Sequence, residues 1–209
     1  MKIVFIRHGE PDFYEVDSRE FIGMGRDFAP LTKRGIAQAE KVSKNPILKD
    51  AELIVSSPYT RALQTAAVIS KNINVNITVE TDLHEQIFDK SFTVKGMDEA
   101  KALNLDFIKC LGEVPEGENK KWESLTEILS RVKPIADKYY DLGYKKIIIV
   151  SHGGIIRRFT GKWKIDYCDL EEIEYNKEVT ETLTSKDNVK VISLNKLVNN
   201  SHCDLEIIP

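Results

Sequence analysis

Lys2-Ile3-Val4-Phe5-Ile6-Arg7-His8-Gly9-Glu10 is the stretch on which the reading of this chain turns. Ile3 to Ile6 is too short for a stable helix and is rich in β-branched and aromatic residues, so it predicts a buried strand of a largely parallel sheet. Arg7 and His8 then fall where that strand ends. Ligands of open α/β sheets bind outside the carboxyl ends of the strands, and Gly9 predicts a sharp turn with close approach to a ligand. A histidine beside a fixed cation is equipped to attack or hold an anion.

The same design recurs near the other end of the chain. Lys145-Lys146-Ile147-Ile148-Ile149-Val150-Ser151-His152-Gly153-Gly154 is again a β-branched run followed by a histidine, glycines and the apolar start of a helix. Two strands that end in His-Gly predict two histidines, His8 and His152, facing one pocket.

The 209 residues, 42% hydrophobic and 30% charged, suffice for one substantial core and predict a single domain over 1–209. The net charge of −3 arises from interspersed acids and bases, which argues against nucleic acid or an anionic membrane surface as the main partner. Any anion site must therefore be local. Cys110, Cys168 and Cys203 are odd in number and widely spaced, without a zinc pattern or a secreted disulfide framework, and read as reduced thiols. A strand beginning at Lys2 leaves no room for a signal peptide, and no apolar stretch reaches membrane-spanning length. The expected compartment is the cytoplasm.

Between these landmarks strands and helices alternate. Pro11 to Pro30 has no clear period and predicts a long loop beside the site. A helix follows, with Thr32 as N-cap, Ile36, Ala39 and Val42 on its inner face, and Pro46 beyond its end. Ala51 to Val55 predicts the second buried strand, and Ser57-Pro58-Tyr59-Thr60-Arg61 the entry to a helix with Pro58 in its first turn. Arg61 would then lie at a helix N-terminus, where free N–H groups and the positive dipole end already favour an anion. Ile77 to Val79 is a third strand leading to Asp82 and Glu85. A carboxyl held near two histidines and two arginines is a candidate proton donor. Met97 to Leu111 predicts a helix that covers the site, within a lid or insertion around 88–117.

Leu125, Ile128, Leu129, Val132, Ala136 and Tyr139 recur at helical steps between Glu123 and Tyr140, and Pro134 predicts a kink there. A short helix runs from Gly154 to Gly161, Tyr167 to Glu174 has no assignment, and Glu178–Leu183, Val189–Leu194 and Asp204–Ile208 read as closing strands, with a hairpin around Asn199-Asn200. The expected architecture is α/β: a three-layer α/β/α sandwich on a mostly parallel central sheet with antiparallel edge strands. Arg157 and Arg158 read as solvated or salt-bridged, Trp122 and Trp163 as packing residues, His84 as structural and His202 as solvent-facing.

Taken together, Arg7-His8-Gly9-Glu10, Leu31-Thr32 with Gly35 and Gln38-Ala39, Ser56-Ser57-Pro58 with Arg61-Ala62 and Gln64-Thr65-Ala66, Leu83 with Glu85, Glu123-Ser124 with Arg131-Val132, and Ser151-His152-Gly153-Gly154 resemble the histidine phosphatase superfamily, which includes the phosphoglycerate mutases. The resemblance spans Lys2 to about Gly161 in the family's order. It implies that His8 is the nucleophile, that Arg7, Arg61 and His152 hold the phosphoryl oxygens together with His8, and that Glu85 protonates the leaving alcohol. The segment after Glu85, Gln86-Ile87-Phe88-Asp89-Lys90, departs from the family's Gly-x-Trp-Glu-Gly-like run, and leaves Asp82 and Glu10 open as other acids.

The implied activity is that of a metal-independent phosphomonoesterase that works through phosphohistidine on a small phosphorylated metabolite, with no cofactor. Neutral imidazole is a competent nucleophile near neutral pH, and two guanidiniums supply the charge stabilisation that phosphoryl transfer requires. A phosphoglycerate mutase-type phosphomutase differs only in the acceptor. A non-catalytic phospholigand-binding domain is the alternative of another class.

Overall fold

The computed structural model describes residues 1–19, 21, 23–94, 97–162 and 164–177. The predicted strands after Glu178, the Asn199-Asn200 hairpin, Trp163, His202 and Cys203 lie outside the described residues.

Five strands form one sheet in the order β3-β2-β4-β1-β5, with β1 Lys2–Arg7, β2 Leu53–Ser56, β3 Ile77–Val79, β4 Lys146–Ser151 and β5 Leu170–Glu174. The first four pair in parallel and β5 runs antiparallel to β1. β1 and β4 are central, and Ile3 to Ile6 and Ile147 to Val150 are buried on both faces, as their continuous apolar runs require. On one face Ile3, Phe5, Ile147 and Ile149 pack against α5 (Leu125–Asp141) and α6 (Gly153–Thr160). On the other, Val4, Ile6, Ile148 and Val150 pack against α2 (Lys33–Val42) and α3 (Thr60–Ile73). This is the three-layer arrangement with an antiparallel edge.

The strand register positions the site. Arg7 lies opposite Ser151 in the parallel β1–β4 ladder, so His8 and His152, each one residue further on, emerge side by side at the same end of the sheet. Ser56 pairs with Val150, which brings Ser57 and the start of α3 to the same edge.

Several local expectations are corrected. Pro11 to Pro30 is not a structureless loop: it holds a short helix α1 (Tyr14–Ser18) and a 3₁₀ turn, Gly23–Phe28. Thr32 does cap α2 through the Gly35 amide, but Ile36 is exposed and Gly35 takes the inward position. The reason is close backbone contact, since a Cβ on Gly9 would stand 2.6 Å from the Gly35 carbonyl oxygen and one on Gly35 would strike Glu10. Gly9 thus serves close backbone packing against α2. Pro58 precedes α3, which begins at Thr60 after the N-cap Tyr59. The unassigned Leu170–Glu174 is the edge strand β5; its acidic residues hid it, and Glu172 pairs with Lys2 and Lys146 along that edge. α4 (Met97–Lys109) forms within the predicted helical stretch, and α5 runs on through Pro134.

Candidate active site

His8 leaves β1 and turns its ring across the end of the sheet. Its Nδ1 lies 2.7 Å from the Gly9 carbonyl oxygen, which can only accept, so Nδ1 carries the proton. Nε2 is left with a lone pair, and the Nε–H of Arg61 donates to it at 3.3 Å. Burial, then the charges of Arg61 and Arg7, hold the His8 pKa well below the usual imidazole value. His8 is therefore a neutral imidazole whose free nitrogen faces a guanidinium.

The expected partners surround it. The His152 ring lies 5.1 Å from that of His8 between centroids, and its Nε2 is 2.7 Å from the Ser57 hydroxyl. Burial, then the charge of Arg61, depresses its pKa as well. Arg7 donates from Nη1 to the Ile165 carbonyl at 2.7 Å, and its guanidinium lies 4.3 Å from the Tyr167 ring centre. Arg61, 5% exposed, is buried at the start of α3, and Tyr59 lies against its guanidinium. The site residues leave three buried nitrogens with no hydrogen-bond partner in the protein: Arg7 Nε, Arg61 Nη1 and His152 Nδ1. Buried polar groups are ordinarily paired, so such a concentration marks donors built for something else.

Glu85 follows the 3₁₀ turn Thr81–Leu83 after β3, and is buried. Its Oε2 accepts from the Gly154 amide at 3.3 Å and its Oε1 from the Gln86 amide at 2.9 Å. A Cβ at Gly154 would collide with this carboxylate, which explains why a second glycine follows His152. Arg131 of α5 clamps the segment by donating to the carbonyls of Asp82, His84 and Glu85, while its own Nε is 2.5 Å from Glu123. Glu123 in turn accepts from the Ile87 amide. The other two candidate acids are placed differently. Asp82 is exposed in the turn, and Glu10 is held by Arg34 and Thr32, whose hydrogen bonds keep its carboxyl below the usual range. His84 is half-buried, with Nδ1 2.7 Å from the Glu85 carbonyl.

Four contributors escaped the sequence reading of the site. Ser57 and Tyr167 sit against the histidines, and Arg131 supports Glu85. Asp27, from the 3₁₀ turn Gly23–Phe28, places Oδ1 3.9 Å from Arg61 Nη1. Ser57 and Arg131 lay inside the quoted motifs, whereas Asp27 sits in an aperiodic stretch that carries no signal. Arg158 also differs from expectation: it is part-buried on α6, donates to the Gly154 carbonyl at 3.2 Å, and has its pKa pulled down to about 10 by burial. Trp122 packs in the core and donates to Asp106 at 2.8 Å. Among the described residues no three His, Cys, Asp or Glu side chains are grouped to hold a metal ion, and no helix is long and apolar enough to cross a membrane.

Known proteins resemble this chain in sequence and in fold. The chain is 26% identical over 201 residues to a Hydrogenobacter thermophilus protein named "Putative phosphoserine phosphatase 2", covering 94% of this chain and 96% of that one. It is 31% identical over 127 residues to the 2,3-bisphosphoglycerate-dependent phosphoglycerate mutase of Thermoplasma acidophilum, covering 60% of this chain and 61% of that one. Among solved structures, the α-ribazole phosphatase of Shigella flexneri superposes with a TM-score of 0.62 at 23% identity, over 84% of this chain and 91% of that one. A mycobacterial glucosyl-3-phosphoglycerate phosphatase does so with a TM-score of 0.64 at 20% identity, over 82% and 88%. The family model of the histidine phosphatase superfamily, branch 1, matches residues 3–195, and the chain belongs to that superfamily.

Proposed function

We propose that this protein is a phosphomonoesterase that passes the phosphoryl group of a small phosphorylated metabolite through His8 to water. The observation that carries the reading is the set of buried nitrogens without hydrogen-bond partners, Arg7 Nε, Arg61 Nη1 and His152 Nδ1, beside a neutral His8 with an unprotonated Nε2. Two guanidiniums and an imidazole N–H match the oxygens of a phosphoryl group, whose transfer depends above all on charge stabilisation.

In the first step the Nε2 lone pair forms the P–N bond as the P–O bond to the alcohol breaks, and Glu85 gives its proton to the departing oxygen. In the second, water gives a proton to Glu85 and attacks phosphorus, the P–N bond breaks, and phosphate leaves. A hydrogen bond donated by the Ser57 hydroxyl to His152 Nε2 would keep the proton of that ring on Nδ1, toward the phosphoryl group. We take 1–209 as one domain, with 88–117 as a lid; the aromatic contact of Phe107 with Trp122 supports its docking beside Glu123 and thus near Glu85. The free thiols of Cys110 and Cys168 suit the reducing cytoplasm.

The similarity to the Hydrogenobacter protein over nearly the whole chain puts phosphoserine first among candidate esters. The match to a mutase over part of the chain keeps phosphoglycerate second, with an alcohol as acceptor. The test is phosphate release from a panel of phosphomonoesters by the natural protein and by His8→Ala. Release by the first alone supports hydrolysis through His8. Transfer between positions of phosphoglycerate without phosphate release supports the mutase.

A further inference from the structure

Asp27 has no part in the chemistry above, yet its carboxylate is aimed at it. It comes from the 3₁₀ turn Gly23–Phe28 and reaches Oδ1 to 3.9 Å from Arg61 Nη1, one of the buried nitrogens without a hydrogen-bond partner. That distance gives charge attraction without a hydrogen bond, so Asp27 neutralises this edge of Arg61 without consuming its donor. Tyr59 and Asp27 interact electrostatically, and the Tyr59 and Phe13 rings lie 4.9 and 5.9 Å from the Arg61 guanidinium carbon. The ionisable groups that act on Asp27 are Arg61, Tyr59, Glu85 and Arg26. Of these Arg26 is shared with Asp17, at 3.4 Å, and lies over Phe13. Arg61 is thus the main positive charge that Asp27 answers.

A phosphoryl dianion seated on Arg61 would face this carboxylate across a buried, weakly screened gap. Like charges in such a setting are relieved by protonating the weaker acid. Resting on the phosphoryl site proposed above, we propose that Asp27 competes with the phosphoryl group for Arg61, and that binding of the group is coupled to uptake of one proton by Asp27. The carboxyl is already poised for this, since burial lifts its pKa to about 6. Affinity for a fixed dianion should then fall as pH rises above that value, by roughly tenfold per pH unit at the limit of full coupling. His8 and His152 also face the anion and would take up protons in the same sense, so the comparison with an Asp27 variant, and not the pH profile alone, isolates the carboxyl.

Sulfate is a suitable probe because it stays dianionic throughout. Its binding would be followed by titration calorimetry between about pH 5.5 and 8.5, on the natural protein and on Asp27→Asn, which retains a partner for Tyr59. The expected result is a loss of at least about tenfold in natural-protein affinity from pH 6 to 8, a shallower loss in the variant, and tighter binding by the variant at pH 8. Calorimetry at pH 7 in buffers of different ionisation enthalpy should show greater proton uptake per sulfate bound by the natural protein than by Asp27→Asn. Measurable binding with equal proton uptake, or with the same pH profile, in both proteins overturns the role of Asp27 and leaves the anion site standing. No binding of sulfate or inorganic phosphate by either protein overturns the anion site itself, and the coupling with it.

Discussion

The Nε of Arg61 lies 3.3 Å from Nε2 of His8, the ring nitrogen that the Nδ1 bond to Gly9 leaves unprotonated. The guanidinium that would bind a phosphoryl oxygen therefore lies directly against the lone pair that would attack phosphorus. Loss of either group should damage chemistry more than binding.

His8→Ala should lower phosphate release by at least about 10⁴-fold, since nothing else in the site replaces a lost nucleophile. Natural protein quenched in alkali during turnover of a labelled ester should carry phosphate on His8, and the variant none. Equal labelling of both proteins would place the nucleophile elsewhere.

Glu85→Gln should reduce kcat for alkyl phosphates by about 10²–10⁴-fold, the usual worth of a positioned acid-base group. An aryl ester with a good leaving group needs no proton in the first step, so the variant should release one equivalent of phenol rapidly and then stall as phosphoenzyme. Gly154→Ala should resemble it in part, because the added methyl collides with the Glu85 carboxylate. Unchanged alkyl-ester turnover in Glu85→Gln would return Asp82 and Glu10 to consideration.

Arg131 and Glu123 form a largely buried pair that also ties the 82–87 segment to α5. Arg131→Met leaves Glu123 unpaired and should cost about 3–5 kcal/mol, or roughly 10 °C in Tm for a chain of this size. kcat should fall through misplacement of Glu85, with a smaller change in KM, as the candidate phosphate donors lie on other elements. Thermal unfolding and steady-state kinetics on one preparation check both.

Stability should decline as pH falls below the ordinary histidine value. His8 and His152 have folded pKa values below their unfolded ones, so from about pH 6.5 downward the unfolded chain binds more protons, costing up to about 1.4 kcal/mol per pH unit for each. Asp27, raised to about 6, acts in the opposite sense below that pH. The difference between His152→Gln and the natural protein isolates one histidine: the variant's urea-unfolding free energy should fall less steeply between about pH 6.5 and 5. Parallel slopes would mean that His152 is not held neutral.

Phosphate release should persist in excess chelator, because Arg7 and Arg61 supply the positive charge that a metal supplies in other phosphoryl-transfer sites. Activity lost to chelator and restored by a divalent cation would contradict this.

The sequence alone determined the layers of the fold and the pairing of the two histidines. β1 and β4 are short β-branched runs buried on both faces, a pattern that needs no knowledge of distant contacts, and each is followed at once by its histidine. The motif order likewise named Arg7, Arg61 and Glu85 before any distance was known. Tertiary structure decided what depends on contact between segments far apart in the chain. Leu170–Glu174 became a strand because β1 offers an edge, although its acidic composition says otherwise. Gly9 and Gly154 are small because Gly35 and Glu85 approach them from elsewhere, and Ile36 faces outward for the same reason. Asp27 joined the site through a 3₁₀ turn without sequence periodicity. Local pattern records which face of an element is buried, whereas the partner that buries it, and the charge it brings, are set only when the chain closes on itself.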